Sequence, residues 1–430
     1  MKHWTVRRAR AYLRHAGPTS LLFRRRMALI GGATLVGLAA LIFAWSADLA
    51  SDAFREIAGT HRYLPLIVTP LGFACIVWLT RRQAPLAAGS GIPQVIAAIK
   101  VPDIADRALV NFRTALLKVV LTVAALLVGA SVGREGPTVQ ISAAILARVH
   151  RLLAVPLRAS VMIAGGAAGV AAAFNTPLAG IAFAIEELAA AYEQRMTLLV
   201  ITAVIVSGMV SLGLAGDYVY FGSVSAHLSF GSAVAIALVA GLLGGLSGGG
   251  FARMALGAAR SQNRFTAFAR SRPILFAGLC GVVVAAIGVG TELTWGTSYD
   301  AARSMIAGGQ GVPVWFGPAK FVSTLATSIS GLPGGIFAPS LATGAGFGNI
   351  LTDLFPDSQA SAVVLLGMVA YFTGVVRAPL TAVIIISETT GSRGFMLPLL
   401  GAALVADWSA QLVCRERLYH GLSEGFAAKA

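Results

Sequence analysis

The chain contains an internal duplication, and no other feature limits its possible folds as strongly. At an offset of 202 residues, Gly133-Arg134-Glu135-Gly136-Pro137 aligns with Gly335-Ile336-Phe337-Ala338-Pro339. At the same offset Pro177-Leu178 aligns with Pro379-Leu380, and Gly165 with Gly367. Glu186 follows its proline by nine residues, and Glu388 follows its own by nine. Low complexity can mimic matches between glycines and alanines, but not a Pro-Leu-to-Glu spacing shared without a gap. Each copy must adopt the same local structure and find a fixed relation to its twin.

Charge reveals that relation. Only 12% of the 430 residues are charged and 57% are hydrophobic, about half the charged share of a soluble domain. This excludes a soluble enzyme, a disordered chain and a secreted disulfide scaffold. What remains is a multi-span membrane protein, and its 49 glycines suit close helix packing in lipid. Cys75, Cys280 and Cys414 are far apart and form no spaced metal or redox pair. The 33 Lys+Arg against 18 Asp+Glu would suggest nucleic acid in a soluble chain. In a membrane protein the excess marks cytoplasmic loops instead, so no nucleic-acid partner is expected.

Residues 1–26 carry Lys2, Arg7, Arg8, Arg10, Arg14, Arg24, Arg25 and Arg26 and no acid. The apolar stretch Met27 to Ala47 follows and is long enough to span. The basic segment is therefore cytoplasmic. Segment 48–62, with Asp48, Asp52 and Glu56 against Arg55 and Arg62, reads as an outer loop. Leu64 to Thr80 returns, and Arg81 and Arg82 mark the inner face. Segment 253–272, with five arginines and no acid, is again cytoplasmic. The offset maps 27–47 onto 229–249. The first leaves the cytoplasm and the second runs toward it, so the copies point opposite ways. Inverted repeats are a transporter signature, with the site at the repeat interface.

The expected architecture is all-α and polytopic, an inverted-topology repeat with broken and re-entrant helices. Its parts are a basic segment 1–26, a first repeat 27–215, an inverted second repeat 216–420 and a short tail 421–430. Both termini are expected in the cytoplasm.

Four breaks interrupt the apolar sequence: Gly89-Ser90-Gly91-Ile92-Pro93, Gly133 to Pro137, Gly334 to Pro339, and Phe174-Asn175-Thr176-Pro177. Glycine permits the tight turn, and proline suits the first turn of the next helix. Lipid forbids exposed irregular backbone, so such breaks are buried or line a polar path. Each can present a helix N-terminus with free N–H groups and positive potential. Several converging would make an anion site without a fixed full charge; kinks in a plain bundle are the alternative.

Glu135 lies in one such break. A carboxylate there can occupy the anion's own place, and protonation would release it; otherwise it caps a helix. Glu186 and Glu187 are adjacent, so they face different directions on a helix. One can meet a partner or headgroup while the other faces a polar path. For Arg377 and Glu388, an ion pair or interfacial role is expected. Lys118, one helical segment before Glu135, would counter a buried glutamate, set the potential near an anion path, or snorkel to the interface. Intramembrane acids default to functional candidates. HExxH, GxSxG and Walker motifs are absent, and the six histidines (3, 15, 61, 150, 227 and 420) are scattered, so no enzyme is expected.

Taken together, GSGIP at 89–93, GREGP at 133–137, FNTPLAG at 174–180 with Glu186-Glu187, GGIFAP at 334–339 and RAPLTAV at 377–383 resemble the CLC chloride channels and chloride/proton antiporters. The motifs occur in that family's order, over residues 27–420. The resemblance implies that the Ser90 hydroxyl coordinates a central chloride and that the Tyr419 hydroxyl lies opposite. Backbone N–H groups of Ile336 and Phe337 would complete the site, and Gly136 and Arg134 belong to the same chloride-binding set. It implies Glu135 as the external gate, Glu187 as the internal proton-transfer glutamate, and Lys118 in support. It further implies a homodimer with one pathway per subunit, and no cofactor apart from chloride as substrate. Serine at position 90 suggests chloride over nitrate or fluoride. Gln94, Val95 and Ile96 replace acids found in some members, and Ala189 and Ala190 replace more polar residues, so the proton's inner entry is open. The expectation is a compact prokaryotic form in the cell (inner) membrane, without a C-terminal nucleotide-binding domain. The function so implied is exchange of chloride for protons; the alternative is a passive chloride-selective channel of the same fold.

Overall fold

The computed structural model describes residues 18–100, 109–189, 194–216, 219–224, 228–308 and 311–428. Most of the basic segment 1–26 lies outside these residues, as does Ala190. In the first half the helices are α1 (Pro18–Thr60), α2 (Pro65–Gln83), α3 (Ile92–Lys100), α4 (Phe112–Leu127), α5 (Glu135–Leu152), α6 (Ala159–Phe174), α7 (Pro177–Phe183) and α8 (Gln194–Ala215). In the second they are α9 (Phe230–Arg260), α10 (Arg264–Ser271), α11 (Pro273–Thr291), α12 (Tyr299–Ile306), α13 (Phe316–Ile329), α14 (Phe337–Thr352), α15 (Ala360–Val376), α16 (Pro379–Thr390), α17 (Met396–Val413) and α18 (Leu418–Ala427).

The offset of 202 carries α4 onto α13, α5 onto α14, α6 onto α15, α7 onto α16 and α8 onto α17 within a few residues. It also carries Asn175 onto Arg377. Both end their helices in the left-handed conformation, with φ of 57° and 63°. Gly133 and Gly335, equivalent residues, exchange two backbone hydrogen bonds of 2.7 Å in an antiparallel bridge. Equivalent residues that bond reciprocally lie on a local two-fold axis. The antiparallel sense means that the copies pass through it in opposite directions, as an inverted repeat requires.

Five described helices are long and apolar enough to cross a bilayer: α1, α8, α9, α11 and α17. The protein is thus a multi-pass membrane protein. α3, with nine residues, reaches only about 14 Å at 1.5 Å per residue, less than half of a ~30 Å hydrocarbon core. At the centre, α15 is buried along its whole length, the pattern of a helix with neighbours on every side. Small residues permit that: a Cβ on Gly367 would stand 2.3 Å from the Cα of Gly348 in α14, so the two backbones meet directly.

One expectation is corrected. Residues 48–60 are not an outer loop but the last part of α1. The segment lacks proline, carries Ala50, Ala53 and Ala58, and holds an i,i+3 Asp52–Arg55 pair at 2.5 Å, all of which favour continuation of the helix. At 43 residues, α1 is about 65 Å long, so it projects beyond the hydrocarbon core.

Candidate functional site

Three of the four breaks are tied to one another by backbone. Gly89 N–H donates to Leu332 O and Gly334 N–H to Gly89 O, each at 3.1 Å. The Gly133–Gly335 bridge then joins the third loop. The starts of α3, α5 and α14 are thereby brought together. Gln94, a departure from the family pattern, is part of this frame. Its Oε1 accepts from Gly91 N–H at 3.1 Å, and its Nε2 donates to Ala88 O at 2.7 Å and Leu86 O at 3.1 Å.

Ser90 and Tyr419 meet at this junction. Both line a cavity of about 160 Å³ with Gly89, Ile336 and Leu418. The two hydroxyls approach each other, yet neither makes a hydrogen bond of good geometry within the protein. Buried hydroxyls without a partner are uncommon, and two facing one cavity make a pair of available donors. Gly136 borders Ser90 so closely that a Cβ there would stand 2.3 Å from its Oγ. Phe337, fully buried, packs its ring 5.8 Å from that of Tyr419.

Glu135 is fully buried in the first turn of α5. Its Oε1 accepts from the Tyr299 hydroxyl at 2.5 Å. Its Oε2 makes no hydrogen bond of good geometry and lies against Gly133, beside Ala338 and Pro339 in the first turn of α14. The carboxylate thus sits at the positive end of a second helix. Arg134, its neighbour, turns its guanidinium away: Nη1 donates to Ala44 O at 2.8 Å and to Asp48 at 2.7 Å, and Nη2 reaches the Tyr220 hydroxyl at 3.3 Å. Only the Arg134 backbone remains at the break. Lys118 is fully buried rather than snorkelling, and its Nζ donates to Gly89 O at 2.9 Å, directly before Ser90.

Glu186 and Glu187 share a single π-helical turn, Ala184–Leu188, a feature often found at functional positions. They diverge as adjacent helical residues must. Glu186 caps α16, accepting from Leu380 N–H at 3.0 Å and Thr381 N–H at 2.6 Å. Glu187 is buried, and neither oxygen has a hydrogen bond within the protein. His420 Nε2 stands 3.2 Å from the Glu187 carbonyl and 3.7 Å from its Oε1, too far for a hydrogen bond to the latter. Burial, then the nearby Lys100 and Arg417, hold the His420 imidazole below its ordinary range. Tyr419 lies within electrostatic reach of both Glu187 and Glu135.

Arg377 forms a structural ion pair, and Glu388 takes a capping role. Arg377 Nε donates to Asp407 at 2.7 Å, while Glu388 accepts from Leu178 and Ala179 N–H at the start of α7. Sequence reasoning missed Lys320, Tyr299 and His420 as site neighbours. Lys320 is the repeat equivalent of Lys118 and is likewise fully buried, its Nζ donating to Gly296 O at 2.7 Å and Thr294 O at 2.9 Å. The offset alone would have revealed it. No motif points to Tyr299, and His420 stands out only as the neighbour of Tyr419.

Converging helix ends, buried carboxylates and unpartnered hydroxyls in an inverted membrane repeat define a broken-helix ion-transport protein. The chain belongs to the Voltage gated chloride channel family, whose family model matches residues 71–411. Its fold is similar to that of a slow cyanobacterial Cl−/H+ antiporter, with a TM-score of 0.81 and 23% identity over 94% of this chain and 98% of that one. It is also similar to a CLC-type fluoride/proton antiporter, with a TM-score of 0.78 and 22% identity over 95% and 99% of the two chains. A eukaryotic CLC transporter matches at 0.73 and 22% identity, over 94% of this chain and 74% of that one.

Proposed function

We propose that the protein exchanges chloride for protons across a cell membrane, with Glu135 as the gate and Glu187 as the inner proton relay. The observation that carries this reading is the seat of the Glu135 carboxylate at the first turn of α14. A carboxylate and a chloride are both monovalent anions, and both are stabilised by the free N–H groups of a helix start. They would compete for one place. Protonation removes the charge that holds Glu135 there, so proton uptake and chloride entry become linked. Ser90 and Tyr419 would supply hydroxyl donors, and Ile336, Phe337, Gly136 and Arg134 backbone N–H groups. Arg134 and Lys118 are engaged by Asp48 and by the Gly89 carbonyl, so neither would clamp the anion with a full charge. Glu187, buried beside partly exposed His420, would take protons from the opposite side. Two of the structures with this fold are proton-coupled halide antiporters, and serine at position 90 favours chloride as the halide.

The same reading assigns both termini to the cytoplasm, two inverted halves at 27–215 and 216–420, and no cofactor. It assigns a homodimer with one pathway per subunit. Purified protein in liposomes under an imposed chloride gradient tests it, with pH and chloride recorded together. Uphill proton movement is expected. Chloride flux alone would make the protein a passive channel, and no ion movement would remove both readings. In Glu135→Gln, proton coupling should vanish while chloride flux persists; coupled exchange in that variant would reject the gate assignment.

A further inference from the structure

Beside Glu135, a cavity of about 270 Å³ is lined by Asp48, Arg55, Glu292, Ser298, Tyr299 and Asp300. Tyr299 stands between this cavity and the gate. It opens α12 directly after Ser298, whose φ of 59° is unusual for a residue with a side chain. Ser298 Oγ secures that bend by donating to Leu293 O at 2.7 Å. The turn drives the Tyr299 ring inward, where it packs edge-on against Tyr220, with centroids 4.3 Å apart, and near Phe221 at 5.7 Å. Tyr220 in turn receives Arg134 Nη2, and Arg134 is anchored on Asp48 at the cavity wall. The ring is therefore fixed on several sides, and its hydroxyl is aimed at Glu135 Oε1.

We propose that Tyr299 is a positioning residue of the gate: its hydroxyl latches the Glu135 carboxylate in the helix-end site and closes that site toward the cavity. The proposal rests on Glu135 being the gate. A phenol donates far more strongly to a carboxylate than to a neutral carboxyl. The latch therefore holds while Glu135 is charged and releases when it is protonated. It also biases the competition between the carboxylate and chloride toward the carboxylate.

The test is the apparent chloride KM of exchange in liposomes. Tyr299→Phe keeps the ring and its packing but removes the donor. Hydrogen bonds to charged groups are strong enough that chloride KM should fall roughly tenfold. In a Glu135→Gln background no carboxylate remains to latch, and Tyr299→Phe should then leave chloride transport unchanged. A ring-fluorinated tyrosine at 299, a stronger donor with the same shape, should raise KM. An unchanged KM in the single variant, an equal shift in both backgrounds, or a fall with the fluorinated residue would each overturn the latch. Persistence of proton coupling in Glu135→Gln alone would instead strike the gate on which the latch depends.

Discussion

Glu186 and Glu388 cap each other's helices across the repeat. Glu186 accepts from Leu380 and Thr381 N–H at the start of α16, and Glu388 accepts from Leu178 and Ala179 N–H at the start of α7. The offset of 202 turns each bond into its counterpart. Charged carboxylates at helix starts satisfy orphan donors and complement the positive end. They also bolt the two copies together where α7 and α16 cross. Replacing either by Ala should destabilise the protein by about 1–2 kcal/mol, the range for a lost N-cap. Thermal unfolding in detergent would detect this as lower midpoints of similar size for the two variants. A large loss for one and none for the other would contradict the symmetric role.

Gly136 leaves no room for a side chain beside Ser90. A Cβ there would meet Ser90 Oγ at 2.3 Å and Ser90 O at 2.9 Å, with Gly335 Cα at 3.3 Å. The hydroxyl can rotate, but the carbonyl is fixed in the loop. Gly136→Ala should cost about 1–3 kcal/mol of overpacking and reduce chloride flux by displacing Ser90. Gly31→Ala, where nothing lies within 4 Å, serves as the neutral control. Flux in liposomes, normalised to folded protein, separates the two effects; wild-type flux in Gly136→Ala would mean that Ser90 is free to move.

Lys118 and Lys320 occupy equivalent positions but hold different parts. Lys118 supports the Gly89 carbonyl beside Ser90, while Lys320 secures Thr294 and Gly296, near the turn that presents Tyr299. Met at either position keeps the length and removes the donor. Lys320→Met abandons two buried carbonyls and should lose more stability than Lys118→Met, which abandons one; each orphaned acceptor costs about 1–3 kcal/mol. Lys118→Met should mainly weaken chloride binding through the Ser90 loop. Thermal midpoints and isothermal chloride titration would reveal the division, and the reverse ranking would dismiss it.

Much of this frame is legible in the sequence because glycine and proline punctuate it where the backbone must turn. The breaks at 89–93, 133–137, 174–177 and 334–339 start or end helices as their chemistry dictates, and the offset anticipates the Gly133–Gly335 bridge. The end of α1 is not legible in the same way. Asp48, Asp52 and Glu56 look like a loop on charge alone, yet a helix does not stop where lipid stops. The caps made by Glu186 and Glu388 are hidden because their partners are 194 and 210 residues away. Tyr299 and His420 are hidden for another reason: a lone tyrosine or histidine has no periodicity, and only folding brings them beside Glu135 and Glu187.

His420 yields a dependence on pH whose sign follows from its surroundings. The imidazole is about one-third exposed, on α18, beside the Glu187 carbonyl. Burial, then Lys100 and Arg417, hold it below the usual imidazole range. The unfolded chain, with an imidazole near pH ~6.5, binds that proton more readily than the folded one. Stability from this residue is therefore full above about pH 6.5 and declines as pH falls below it. Because α18 packs against α3, the loss should appear as easier local opening of 418–427. Hydrogen exchange corrected for intrinsic rates, compared at about pH 7.5 and pH 5.5, should register weaker protection at the lower value. His420→Gln, which has no proton to gain, should flatten the difference. An equal loss of protection in that variant would place the acid sensitivity elsewhere.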